Sequence, residues 1–266
     1  MERTKKIRIQ QIKEGQMEEM EDQVVMEYPL TIYLNGEEFI TLLCSPDSSE
    51  GLTYLALGFL ISEGMIAEKS HVGKVAVEED AGHIHLQLNN KTDLKQKLYG
   101  KRTVTTGCGK GTVFYNVLDS LGSKKINEDI IYDYQHILNL SRKLNQMSAL
   151  FKETGGVHFC ALGNREKILF FHEDIGRHNA LDKIIGEAFS KGIELKDKIL
   201  ITSGRLSSEM IIKAAKKAIP IIVSRSAPTE LSINIAKDLD ITLIGFARGN
   251  RMNIYHGGKR VSRKAM

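Results

Sequence analysis

From position 30 the chain alternates apolar and polar residues. Leu30, Ile32 and Leu34 share one face, Asn35-Gly36 follows, and Phe39, Thr41 and Leu43 resume the alternation. Asn-Gly between two such runs predicts a β-hairpin, because both residues tolerate positive φ. After Pro46 the period changes. Asp47-Ser-Ser-Glu50 has the character of a helix start, and Leu52, Leu55, Ala56, Phe59 and Leu60 then form a 3.6-residue stripe that stops near Gly64. Residues 75–77 and 84–88 predict two further strands, so the first region is α+β.

Residues 91–111 lack periodicity and predict an exposed loop, with a short helix after it built on Val113, Val117, Leu118 and Leu121. A helix is expected over 134–151. Beyond it the pattern becomes regular: strands 157–162 and 167–171 around Gly163-Asn164, helix 179–189 closed by Gly192, strand 198–202, helix 206–217, strand 221–224, helix 229–239 and strand 241–246. Near-continuous apolar strands separated by amphipathic helices predict an α/β fold, with a mostly parallel sheet covered on both faces. The expected division is a mobile arm or edge strand at 1–27, an α+β domain at 28–130 that includes the Cys108 loop, an α/β domain at 131–256, and a basic tail at 257–266.

Composition narrows the class. The 266 residues are 42% hydrophobic and 26% charged, ordinary values for a packed globular chain. Three well-separated cysteines cannot build a dense disulfide framework, which favours a reducing compartment. Nothing approaches the ~20 apolar residues of a bilayer span, and the polar start lacks the apolar core of a signal peptide. The expectation is a cytoplasmic protein with no membrane association. Lys259, Arg260, Arg263 and Lys264 match the whole net charge of +4, leaving a near-neutral body. A short basic tail reads as a solvated terminus and argues for no nucleic-acid partner.

Ligands of open α/β sheets bind beyond the carboxyl ends of the parallel strands. The loops expected there carry Arg177, Arg205, Arg225, Arg248 and Arg251. Guanidinium forks match phosphate oxygens, and three of these loops lead into helix N-termini that favour anions. Gly204 and Gly249 allow close approach of the backbone. The functional reading is a site for a phosphorylated, nucleotide-like ligand. The other is that these are surface arginines paired with Glu173, Asp174, Glu209 and Glu230. His158 and His178 are open to acid–base or structural roles.

Cys44 and Cys160 sit in apolar strand contexts and read as core thiols. Cys108 lies between Gly107 and Gly109 with Lys101, Arg102 and Lys110 nearby. Exposure and cations favour a thiolate, so Cys108 is a candidate nucleophile or sulfur carrier, or else a free loop thiol. Gly107-x-Gly109-x-Gly111 lacks the next glycine of a dinucleotide fingerprint. His172-Glu173 has Gly176 where a zincin needs histidine, and a zinc deaminase signature is absent.

Seven segments together resemble the formate dehydrogenase accessory sulfurtransferases (FdhD family). They are Pro29-Leu-Thr-Ile-Tyr-Leu-Asn-Gly36, Leu57-Gly-Phe-Leu-x-Ser-Glu-Gly64, Thr105-Thr-Gly-Cys-Gly109, Thr154-Gly-Gly-Val-His158, Glu173-Asp-Ile-Gly-Arg-His-Asn-Ala-Leu-Asp182, Thr202-Ser-Gly-Arg205 and Phe246-Ala-Arg-Gly-Asn-Arg251. The resemblance covers roughly 29–256. It implies a cytidine deaminase-like three-layer α/β/α domain without the zinc or any tightly bound metal of its own, and a homodimer. It implies that Cys108 takes sulfur from a cysteine desulfurase as a persulfide and passes it to the molybdenum of bis(molybdopterin guanine dinucleotide), for formate dehydrogenase. The matching cofactor-binding stretch is Phe246, Ala247, Arg248, Gly249, Asn250 and Arg251, with Arg177, His178, Ser203 and Arg205 as a second tier. Many members carry Cys-Gly-x-Cys-Gly in the loop. Here the run is Cys108-Gly-Lys-Gly111, which suits a single persulfide carrier and no Cys-x-x-Cys disulfide. A non-catalytic cofactor chaperone and a nucleobase deaminase-like hydrolase are the alternatives.

Overall fold

The structure, a computed structural model, describes residues 1–89 and 125–263. The Cys108 loop and the short helix expected after it lie outside the described residues. Residues 1–27, expected as an arm or an edge strand, instead contain an antiparallel hairpin of β1 (Thr4–Lys13) and β2 (Gln16–Val25). Glu14 and Gly15 turn it, both at positive φ (52° and 82°), as a two-residue hairpin loop requires. Arg3 anchors its base through a 2.8 Å ion pair to Glu173.

A small sheet follows, in the order β4-β3-β6-β5. Its strands are β3 (Tyr28–Leu34), β4 (Glu37–Cys44), β5 (Val72–Glu78) and β6 (His83–Leu88). Alternation buries Leu30, Ile32, Leu34, Ile84 and Leu86 on one face, and α1 (Ser49–Ser62) packs there, capped by Ser48. The short β7 (Tyr132–Asp133) leads into α2 (Tyr134–Met147) and α3 (Ala149–Thr154). The single helix expected over 134–151 is broken at Ser148. That buried residue leaves helical geometry to cap α3 and to donate 2.5 Å to Glu173.

The large sheet has the order β13-β12-β11-β10-β8-β9. Along the chain it comprises β8 (His158–Gly163), β9 (Ile168–Asp174), β10 (Ile199–Thr202), β11 (Ile221–Ser224), β12 (Thr242–Arg248) and β13 (Arg251–His256), interleaved with α4 (Arg177–Lys191), α5 (Ser208–Ala215) and α6 (Glu230–Asp238). β10, β11 and β12 are parallel, and β8 is antiparallel to both β10 and β9. The sheet is therefore mixed, and β13 is an antiparallel edge strand that the apolar pattern did not predict. Ile199, Ile201, Ile221, Val223 and Ile244 face α2. Leu200, Ile222 and Leu243 face the opposite helix layer.

That second layer joins the two sheets. A Cβ at Gly58 of α1 would lie 1.7 Å from the Asp182 carbonyl oxygen of α4, and one at Gly186 would lie 1.9 Å from that of Tyr54. Only glycine permits this backbone contact. One core consequently runs from Leu30 of the small sheet to Leu243 of the large one. The C-terminal segment also differs from a solvated tail. β14 (Val261–Ser262) pairs with β7, and Arg260 is 2% exposed. Its guanidinium donates to the carbonyls of Ile126, Glu128 and Asp240 at 2.6–2.9 Å. No described helix is long and apolar enough to cross a membrane.

Candidate functional site

Strand direction decides which loops meet. β9 to β12 all end at the edge where β8 begins, because β8 runs opposite to its neighbours. That edge gathers His158, Ser203, Arg225 and Arg248 around an open cleft of about 410 Å³, with Phe151 and Ile175 among its apolar walls. Main-chain bonds lace the loops together. Ser203 N–H donates to Phe159 O at 2.9 Å, Arg225 N–H to Thr202 O at 3.1 Å, and Phe246 N–H to Ser226 O at 3.1 Å. Ser224 Oγ donates to Gly204 O at 2.6 Å. The cleft rim is thus largely preorganised.

The segment from Phe246 to Arg251 divides by role. Phe246 has φ +51°, within the register irregularity between Gly245 and Arg248. Ala247 is buried, and its carbonyl accepts 2.7 Å from Ser141 Oγ. Arg248 emerges at the cleft, its Nε donating 2.5 Å to Arg225 O. Gly249 (φ +57°) and Asn250 make the exposed turn into β13. Arg251 pairs across the ladder from Arg248 and is exposed, away from the cleft lining.

The edge is cationic. Burial lowers the pKa of Arg225, helped by Arg248, and that of Arg177, helped by Arg205. The buried Nε of Arg177 has no hydrogen-bond partner among the described residues. Burial, with Arg177 and Arg205, also holds His158 below the usual imidazole value. Burial, with Lys213, Arg177 and His158, pushes His178 down to about 3. Neutral at pH 7, His178 Nε2 faces Glu209 at 3.4 Å without forming an ion pair. An anion entering this edge would relieve the repulsion among like charges.

The acids offered as alternative partners for the arginines are mostly engaged elsewhere. Glu173 is held by Arg3 and Ser148. Asp174, fully buried, accepts from Gly176 N–H, Asn179 Nδ2 and Lys183 Nζ at 2.8–3.0 Å. Lys183 also reaches Asp47 at 2.7 Å. Much of the Glu173–Asp182 block is thus a brace that fixes the start of α4, while Arg177 lies against Gly204 and His178 faces Glu209, neither of them lining the cleft itself. Composition and spacing do not separate these jobs, because they do not reveal that Lys183 is buried. Glu230 hydrogen-bonds Asn234, and only Glu209 stays close to Arg177.

Cys44 and Cys160 are both buried and free. Burial raises the Cys44 thiol well above its usual value and pushes Cys160 up to about 12. Cys160 Sγ donates to Thr202 Oγ1 at 3.2 Å. Neither supplies a thiolate at neutral pH.

Fold and edge together define a mixed α/β protein with a cationic cleft at its strand ends. The chain belongs to the FdhD/NarQ family, whose model matches residues 25–262. It is 43% identical over 258 residues to the sulfur carrier protein FdhD of Bacillus pumilus, covering 97% of each chain. It is 42% identical to that of Bacillus subtilis, covering 93% of this chain and 94% of the relative. A crystal structure from Desulfotalea psychrophila, assigned as a formate dehydrogenase accessory protein, matches with TM-score 0.80 at 26% identity, covering 98% of this chain and 100% of that one.

Proposed function

We propose that this chain is a sulfur carrier and sulfurtransferase serving formate dehydrogenase maturation, with Cys108 as its persulfide-bearing residue. Family membership and the name shared by its relatives support the carrier role. The observation that carries the cofactor assignment is the cationic edge, where Arg225 and Arg248 line a cleft and Arg177 Nε is buried without a partner among the described residues. The substrate there is the molybdenum bis(molybdopterin guanine dinucleotide) cofactor, whose pyrophosphates suit guanidinium forks. Arg248 and Gly249 meet it first, with Arg177, His178, Ser203 and Arg205 behind them.

Sulfur arrives from a cysteine desulfurase. The Cys108 thiolate attacks the outer sulfur of the donor's persulfide, forming one S–S bond while the donor cysteine leaves as thiolate. Delivery to the bound substrate would break the Cys108 S–S bond, Cys108 leaving as thiolate, with a reduced molybdenum of that substrate supplying the two electrons that make the outer sulfur a sulfide ligand. With Cys44 and Cys160 buried and protonated, Cys108 is the thiol left to carry it. The large sheet is a cytidine deaminase-like scaffold without zinc, and the protein works as a cytoplasmic homodimer.

Incubation with a desulfurase and cysteine, followed by mass spectrometry, tests the reading. Cys108 should gain one sulfur, about 32 Da, and Cys108→Ala should gain none. A protein that binds cofactor but never gains sulfur would be a chaperone instead.

A further inference from the structure

The outer face of the small sheet holds a second group of chemistry-bearing side chains. His83 and His85 are two apart on β6, so they share a face, while Ile84 and Leu86 between and beyond them are buried in the core. Glu78 of β5 stands opposite His83 in the antiparallel register. Tyr33 of β3 stands opposite His85 and stacks on its ring, centroids 4.6 Å apart at 19°. The same tyrosine meets His83 edge-on at 5.1 Å. Three strands therefore fix both imidazoles around one carboxylate.

We propose that Glu78, His83 and His85 form an exchangeable binding site for a divalent transition-metal ion. Glu78 Oε1 lies 3.7 Å from His85 Nε2, and Oε2 lies 3.8 Å from His83 Nδ1. Those separations are too long for hydrogen bonds. They are close to the about 3.4 Å that separates ligands bound at about 2.1 Å around a tetrahedral ion. One donor atom from each of the three residues lies within 4.8 Å of the others, so small rotations of the exposed Glu78 and the half-buried imidazoles close the set. Two imidazoles and one carboxylate favour zinc, nickel or copper over magnesium and calcium, which take all-oxygen shells. The remaining position is open to water. The site is exposed and stands on the other sheet from the cationic cleft, so it differs from a resident structural zinc.

Zinc titration of the full chain by calorimetry tests this, in a Cys108→Ser background that removes the candidate reactive thiol. One zinc per chain is expected, unaffected by excess magnesium. Loss of a mere partner of a metal ligand costs about 10–100-fold in affinity, so the His83→Gln/His85→Gln variant should bind at least about 10-fold more weakly. In the unsubstituted chain, zinc should shift the imidazole nitrogen resonances of His83 and His85 before those of other histidines, which tests the site independently of any variant. Equal zinc affinity in parent and double variant would overturn the proposal. So would an absence of binding, displacement by magnesium, or first shifts at other histidines.

Discussion

Arg248 and Arg225 are joined by a 2.5 Å hydrogen bond from the guanidinium Nε of one to the main-chain oxygen of the other. The bond fastens the last parallel strand to the loop following its neighbour. The terminal nitrogens of Arg248 have no hydrogen-bond partner among the described residues, which suits them to an anion in the cleft. Charge-assisted hydrogen bonds contribute about 1.5–3 kcal/mol each. Arg248→Ala should therefore weaken GDP binding about 10–100-fold by calorimetry, and Arg248→Lys should fall between the two. Unchanged GDP affinity in both variants would place the guanine nucleotide elsewhere.

Acid should destabilise the protein through His178. Its pKa drops from 6.5 to about 3 on folding, chiefly through burial. Between those values the unfolded chain holds a proton that the folded protein lacks. The contribution is whole above pH 6.5 and declines as pH falls, by up to about 1.4 kcal/mol per pH unit. His158 acts with the same sign, whereas the raised pKa of Glu209 opposes it. Urea unfolding at about pH 7 and about pH 4.5 should show a steeper loss in the parent than in His178→Gln. Parallel slopes would contradict the assignment.

Gly58→Ala should be among the most damaging single-methyl changes in the molecule. The new Cβ would meet backbone, the Asp182 carbonyl at 1.7 Å, so no side chain can rotate away. Overpacking of this kind costs about 1–3 kcal/mol or more, read as a lower urea midpoint at unchanged slope.

At the C-terminus two adjacent cations should behave differently. Arg260→Met removes the donors to three carbonyls from a buried position, a loss of about 3–5 kcal/mol. Lys259 pairs with Asp240 from a side chain 62% exposed, so Lys259→Ala should cost about 1 kcal/mol or less. Equal effects in thermal melts would return this segment to the status of a solvated tail.

Elements with strong periodicity were legible in the sequence. The Asn35-Gly36 hairpin, α1, and the alternating helices and strands from 157 onward all follow from the apolar pattern. Of the five arginines expected at the strand-end edge, Arg225 and Arg248 line the cleft, while Arg205 and Arg251 are exposed outside its lining. Elements whose stability comes from context were not legible. The β1–β2 hairpin turns on Glu14-Gly15, a weaker signal than Asn-Gly. β13 is a polar edge strand without a buried face, and Arg260 is buried although its neighbours are basic. The Glu78, His83 and His85 cluster depends on cross-strand register, which spacing along the chain does not reveal.

The glycine crossing of α1 and α4 also limits how the protein can move. Backbones in direct contact and a shared core leave no hinge between the sheets. Pulling the sheets apart would break the main core, at a cost near that of global unfolding. On the proposed function, a substrate as large as a dinucleotide cofactor would then enter over the open rim of the cleft. Any gating falls to surface segments, while the scaffold beneath them stays rigid.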